Sequence, residues 1–322
     1  MSVAAHDGLM STESEARGVV LWGTGGVWVV RTAEGEQHDA SLRGRLKQEG
    51  AGLKLAVGDD VTVVRGGSEG AWAITAIHPR RSVLARRAPG RAHGERIVAA
   101  NVDAVLVVFA AANPEPHLRM LDRFLAIAEG NDIPARVVFN KVELVGGPSG
   151  VDHLARDYER AGYVVHRTSV KQRLGLEELR DVLAGRTSAL TGPSGVGKSS
   201  LVNALFPGLD LRTAEISPSV NKGRHTTVGA LLVPIPDPRG GFVVDTPGLR
   251  EVGMWGLPPR SLDQCFPEFR PFLGHCKFDD CSHDHEPNCA LRSAVEAGTL
   301  SAERFESYQK LRAELVDAEN VW

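Results

Sequence analysis

The stretch Gly192-Pro193-Ser194-Gly195-Val196-Gly197-Lys198-Ser199 reads G-x-x-x-x-G-K-S. Glycines at this spacing let backbone N–H groups converge on phosphate oxygens, while Lys198 brings a cation to the β- and γ-phosphates of a nucleotide. Ser199 is placed to hold Mg²⁺, and Ser200 continues into a helix whose N-terminus favours an anion. An ordinary glycine-rich turn needs neither the lysine nor the serine, so a nucleoside triphosphate is the expected ligand.

A second group of residues reads the base. Asn140-Lys141-Val142-Glu143 follows the apolar run 135–139, just outside the carboxyl end of a buried strand, where open α/β sheets bind ligands. In an N-K-x-D segment the amide contacts the edge of guanine, the lysine stem covers the ring, and the carboxylate accepts from N1–H and the exocyclic amine. Here the acid is Glu143, one methylene longer, so the two-point contact is strained or repositioned and relaxed base specificity stays open. Thr168-Ser169-Val170 is a candidate base-contacting loop, with Ser169 at its centre. Downstream, Asp245-Thr246-Pro247-Gly248 gives D-x-P-G, in which Asp245 would reach Mg²⁺ through water and the Gly248 N–H would sense the γ-phosphate. Between these motifs, Gly223-Arg224-His225-Thr226-Thr227 can supply a threonine to Mg²⁺, with Thr227 slightly preferred over Thr226. Leu249 stands where many small GTPases carry a water-orienting glutamine, which leaves His225 or a group from a partner for that task.

The third constellation is Cys276, Cys281, His283 and Cys289, spaced C-x4-C-x-H-x5-C. Three thiolates and an imidazole suit a closed tetrahedral Zn²⁺ site, and a short segment with little core of its own gains stability from such a staple. His275 and His285 are expected to face solvent or a ligand's outer side, and Cys265 to be a small core residue.

These groups need elements to carry them. Val105–Phe109 is an unbroken apolar strand, Leu118, Leu121, Leu125 and Ala128 recur at helical spacing, and strands at 135–139, 163–166 and 188–191 alternate with helices at 154–161, 176–184 and 200–206. A parallel α/β sheet follows. Residues 18–79 instead alternate short apolar runs with glycine-rich turns, which predicts a small antiparallel barrel, an OB-fold by preference. Arg43, Arg45 and Lys47 could add phosphate contacts there, and the connector 80–96 carries Arg80, Arg81, Arg86, Arg87, Arg91 and Arg96 with one acid, Glu95. That density suits a nucleic-acid backbone. The expected organisation is a disordered tail at 1–17, barrel and connector at 18–96, nucleotide domain at 97–256 and a zinc-binding helical domain at 257–322. In the last of these a helix capped by Ser301 presents Arg304, Lys310 and Arg312, which could face RNA.

Composition sets the outer limits. A chain of 322 residues, 42% hydrophobic and 24% charged, is ordinary for a globular protein. The formal net charge of −3 leaves polyanion binding to local patches. No apolar run could span a bilayer, and the first seventeen residues lack a signal-peptide core, so a cytoplasmic protein with no membrane partner is expected; a monomer is the expected state.

The order of the motifs is unusual, because the N-K-x-E segment precedes the phosphate loop instead of following it. A circular permutation of the GTPase domain accounts for this. With its barrel, GPSGVGKSS, GRHTT, DTPG and cysteine-rich end, the chain resembles the ribosome small-subunit-dependent GTPases, the RsgA family. The resemblance implies an OB-fold, a permuted G domain and a zinc domain. It further implies hydrolysis of GTP to GDP, with Mg²⁺, stimulated by the small ribosomal subunit and its rRNA during late maturation. Two alternatives stay open: an rRNA-binding module with little catalysis, and an NTPase of relaxed base specificity.

Overall fold

The apolar alternation of the first part of the chain closes a barrel from β1 (Ser14–Thr24), β2 (Val27–Thr32), β3 (Gln37–Leu42), β4 (Asp60–Gly66) and β5 (Ala71–Ile77), in the order β1-β2-β3-β5-β4. Every pairing is antiparallel except β3 with β5, the arrangement of an OB-like barrel. Val20, Val30, Ala40, Val61, Val63 and Ile74 fill its interior. The computed structural model describes residues 14–44, 54–66, 71–87, 95–209, 230–245 and 257–320. It forms two units, with the boundary in sequence between Arg80 and Arg81.

The expectations for this part change in four respects. The first strand begins at Ser14 and not after residue 17, because 14–17 pair with 62–65 of β4. Strand β3 lies outside the apolar alternation, since its sequence QHDASL is polar and buries only Ala40. Residues 80–96 are not a plain connector: β6 (Val83–Arg87) and β7 (Glu95–Ala100) form an antiparallel pair that belongs with the second unit. Nor is Arg80 available to a phosphate backbone. Its guanidinium sits on the fully buried Asp59, at 2.6 and 2.8 Å, and donates to the Lys54 carbonyl at 2.7 Å. Arg45, Lys47 and Arg91 lie outside the described residues.

The second unit is built on a six-stranded sheet ordered β10-β9-β8-β11-β13-β12. Its strands are β8 (Ala104–Ala110), β9 (Ala135–Asn140), β10 (Val164–Thr168), β11 (Thr187–Thr191), β12 (Leu231–Pro234) and β13 (Phe242–Asp245). Strand β8 is buried along its whole length, as a central strand covered on both faces should be. Helices α1 (Leu118–Gly130), α2 (Asp152–Arg160) and α3 (Leu176–Leu183) connect the parallel strands β8 to β11 in turn, and α4 (Lys198–Leu205) follows β11. The sheet is not wholly parallel, because β12 runs antiparallel to β13 at the edge. Four residues containing a proline gave too short a signal to find it.

Beyond residue 257 come short 3₁₀ turns, α5 (Ala290–Glu296) and α6 (Ala302–Asn320). This segment has more core than its sequence suggests. Phe266, Phe269 and Tyr308 are buried and packed with ring centroids 4.9–5.6 Å apart. Arg304 does not face RNA. Its side chain is 3% exposed and donates to Asp122 of α1 at 2.6 Å and to Glu268 at 2.7 and 3.0 Å. The Phe266, Tyr158 and Tyr163 rings lie 4.8, 5.2 and 5.8 Å from its guanidinium carbon. A charge so placed persists only because two carboxylates and three ring faces replace water. Among the described residues no helix is long and apolar enough to cross a membrane.

Candidate functional site

The carboxyl ends of β8, β9, β10 and β11 converge on the phosphate loop. Strand β11 ends at Thr191, and α4 begins at Lys198, two residues before the expected start. Lys198, Ser199 and Ser200 therefore form the first turn, whose N–H groups have no partner within the helix. Two glycines are there for space. At Gly192, φ is +135° and a Cβ would stand 2.0 Å from the Val108 carbonyl oxygen; at Gly197, φ is +95° and a Cβ would meet Asn140 Nδ2 at 2.6 Å. The loop thus lies directly on β8 and on the end of β9, which no residue with a Cβ allows. Lys198 Nζ folds back to donate to the carbonyls of Gly192 at 2.6 Å and Pro193 at 2.7 Å. Ser194 and Gly195 are exposed at the loop's tip, and Val196 is fully buried beneath it.

Asn140 has a different first duty from the one its motif suggests. Its Nδ2 donates to the Val196 carbonyl at 3.0 Å, and its Oδ1 accepts from the Thr168 hydroxyl at 3.1 Å. One buried amide thereby ties the phosphate loop to the end of β9 and to the end of β10. Lys141, itself left-handed at φ 63°, adds a second tie by donating to the carbonyls of Gly195, at 2.7 Å, and Asn113. Sequence reasoning had no means of finding Asn113, because the contact uses its backbone. Ser169 is fully buried and turned inward: its Oγ accepts from the Gln172 N–H at 3.0 Å, closing the loop that a bridge between Ser169 and Leu174 fastens. Glu143 Oε2 is buried and meets no hydrogen-bond donor among the described residues. An ionised carboxylate oxygen in that condition is costly until a donor arrives.

Asp245 ends β13 beside β11, opposite Leu231 of β12. Thr226, Thr227, His225 and Gly248 lie outside the described residues.

The cysteine-rich segment gathers its ligands as the spacing predicts. Donor atoms of Cys276, Cys281, His283 and Cys289 all lie within 4.8 Å of one another. His283 Nδ1 is 3.5 Å from Cys276 Sγ and 3.4 Å from Cys289 Sγ, and the two sulfurs are 3.9 Å apart. Bonds of about 2.3 Å to sulfur and about 2.0 Å to nitrogen at tetrahedral angles put neighbouring donors roughly 3.5–3.8 Å apart, so the cluster could hold a metal ion. His275 and His285 are exposed and stand outside it. Cys265 is buried, and burial joined by the charge of Glu129 pushes its thiol up to about 12, as befits an inert core residue.

Two carboxylates flank the cluster that the spacing did not reveal. Asp263 Oδ2 is 3.4 Å from His283 Nε2. Glu286 accepts from the backbone of Ser282, Asp284 and His285; burial works to raise its pKa, but these hydrogen bonds outweigh it and hold the group at about 2.

Comparison with known proteins agrees with this geometry. The family described as RsgA GTPase matches residues 77–255. The small ribosomal subunit biogenesis GTPase RsgA of Gemmatimonas aurantiaca is 62% identical over 301 residues, 93% of this chain and 97% of that protein. Its namesake from Azotobacter vinelandii is 40% identical, covering 95% and 87%. Among solved structures, YjeQ from Thermotoga maritima aligns with a TM-score of 0.75 at 34% identity, over 94% of this chain and 99% of that one. YloQ, described as a circularly permuted GTPase, aligns with a TM-score of 0.72 at 25% identity, over 98% and 99%.

Proposed function

This chain belongs to the RsgA GTPase family, and from that premise we propose that it hydrolyses GTP to GDP and phosphate in the biogenesis of the small ribosomal subunit. The observation that carries this is the clasp of Asn140 and Lys141 on Val196 and Gly195, which joins a phosphate loop to a base-reading segment in permuted order. The nucleotide domain spans residues 97–256 in this reading, and 257–322 form the metal-bearing end.

The loop residues take the phosphates. The N–H groups of Gly195, Gly197, Lys198, Ser199 and Ser200 face the anion, and Lys198 exchanges the Gly192 and Pro193 carbonyls for β- and γ-phosphate oxygens. Glu143 receives the guanine N1–H and amine, which would give its buried Oε2 the donor it lacks. Asn140 braces the loop while Lys141 covers the ring, and Ser169 shapes the far wall. Ser199, Thr227 and, through water, Asp245 are oxygen ligands suited to Mg²⁺, which when bound neutralises charge on the transferring phosphoryl group. His225 or a group supplied by the small subunit orients the attacking water, Thr227 and the Gly248 N–H sense the γ-phosphate, and Leu249 leaves intrinsic turnover slow. Cys276, Cys281, His283 and Cys289 hold one structural Zn²⁺, favoured over harder ions by three thiolates.

The small subunit and its rRNA would stimulate turnover, and a cytoplasmic monomer fits that role. Phosphate release measured from GTP and ATP, each with and without purified small subunits, tests the reading. We expect release from GTP alone, increased by the subunits. Silence in all four mixtures would overturn catalysis in favour of a binding module, and equal turnover of ATP would overturn guanine recognition by Glu143. Full ribosome-stimulated turnover in His225→Ala would remove His225 from its role.

A further inference from the structure

Beside the metal ligands lies an arrangement with no part in nucleotide chemistry. Glu286 accepts the Ser282 N–H at 2.7 Å, the Ser282 hydroxyl at 2.5 Å, the Asp284 N–H at 3.0 Å and the His285 N–H at 3.2 Å. The residue enclosed by these donors is His283, whose φ is 62°. A left-handed residue with a Cβ is held only where its surroundings over-determine it. Here one carboxylate gathers the turn on both sides of the ligand, and the Tyr308 hydroxyl donates to the Ser282 carbonyl at 3.0 Å, fixing the same turn to α6. From the other direction Asp263 faces Nε2 of the imidazole, while Nδ1 faces Cys276 and Cys289.

We propose that Glu286 and Asp263 are positioning residues of the metal centre, Glu286 by holding the 282–285 turn in the conformation that presents His283, Asp263 by keeping the imidazole proton on Nε2. The lone pair of Nδ1 is then directed at the metal in every molecule. A neutral imidazole has two tautomers, and only one leaves Nδ1 free to ligate; a carboxylate at Nε2 selects that one and makes the nitrogen more basic. Glu286 acts on the backbone instead, so the ligand cluster is assembled before the metal arrives. The proposal rests on reading the four ligands as a zinc site.

The test uses the full chain loaded with zinc, and reads the rate of zinc release to a chromophoric chelator together with the absorption of the Co²⁺-substituted protein. In Glu286→Ala and Asp263→Asn we expect zinc affinity about 10–100-fold weaker than in the parent and release correspondingly faster, the range typical when outer partners of metal ligands are removed. The d–d bands of Co²⁺ should also move in Asp263→Asn, which a merely structural turn would not cause. Glu286→Gln should fall between parent and Glu286→Ala, because a single amide oxygen serves fewer donors. If Glu286→Ala does not fold, Glu286→Gln and Ser282→Ala carry the test. Release within about twofold of the parent in both Glu286→Gln and Asp263→Asn, with unchanged Co²⁺ spectra, would overturn the proposal. A parent that takes up no zinc overturns the zinc reading itself.

Discussion

The nucleotide clasp and the metal centre both gather side chains at hydrogen-bonding range, but they do it by opposite means. Asn113, Asn140, Thr168 and Val196 are far apart in sequence and meet because β8, β9, β10 and β11 lie in register and end together. The four residues that could hold a metal sit within 276–289, ahead of α5, where no strand or helix holds them. Geometry in the first site is inherited from the sheet. In the second it has to be carried locally, by a left-handed His283, by Glu286 and by Asp263. A site on strand ends can therefore lose one side chain and keep its shape, while a site on turns depends on each of its braces.

The seam between the two regions should be the most sensitive point. Arg304 joins α6 to Asp122 on α1, the helix that leads out of the β8 loop bearing Asn113. Arg304→Met would leave the buried Asp122 and the largely covered Glu268 without their cation, and breaking a buried pair from one side costs about 3–5 kcal/mol. Urea unfolding monitored over the whole chain should show a loss of that size. A change below about 1 kcal/mol would mean that water reaches the carboxylates and that the seam is weaker than its burial implies.

Next in size is a change confined to the sheet-built site. Lys198→Ala should lower GTP turnover by about 10²–10³-fold, the usual cost of removing one preorganised electrostatic group. Metal content should stay at the parent level. Loss of both together would contradict the independence of the two sites.

The sequence revealed these regions unequally, for physical reasons. Strand β8 could be read because full burial leaves a continuous apolar run, and Gly192 and Gly197 because close backbone approach admits no other residue. The clustering of Cys276, Cys281, His283 and Cys289 was legible from spacing alone, since few other functions need three cysteines and a histidine so close. What escaped were partners whose chemistry is generic. Asp263 and Glu286 are common surface acids until the fold brings them to His283 and its turn, and Asn113 contributes only a carbonyl. Arg304 reads as solvent-facing because it is an arginine on a helix, whereas its carboxylate partners come from α1 and a 3₁₀ turn that periodicity cannot pair with it.

Stripping the metal separates the two modes of construction with a smaller effect. The aromatic cluster of Phe266, Phe269 and Tyr308 gives the end of the chain a core that does not depend on the ligands. Chelation should therefore speed amide hydrogen exchange across 276–289 while α6 keeps its protection, and GTP affinity should change by less than about twofold, as distant sites add independently. Collapse of protection in α6 would show that the metal, and not the aromatic core, holds this end together.

The smallest effect tests the sheet-built region by pH. His166 on β10 is buried, with Glu178 of α3 3.2 Å from its Nδ1 and Arg136 of β9 3.4 Å from its Nε2. Burial lowers its pKa below 6.5; Glu178 opposes this and Arg136 reinforces it. The folded chain then binds this proton less readily than the unfolded chain, so stability is retained above about pH 6.5 and falls as pH drops from there toward the folded pKa. One proton changes stability by at most about 1.4 kcal/mol per pH unit. Thermal unfolding of the parent should lose more between pH 7.5 and 5.5 than His166→Gln, which carries no titrating ring. A steeper loss in the variant would mean that Glu178 outweighs burial, reversing the sign and making His166 a cationic brace between β10 and the helix that follows the Ser169 loop.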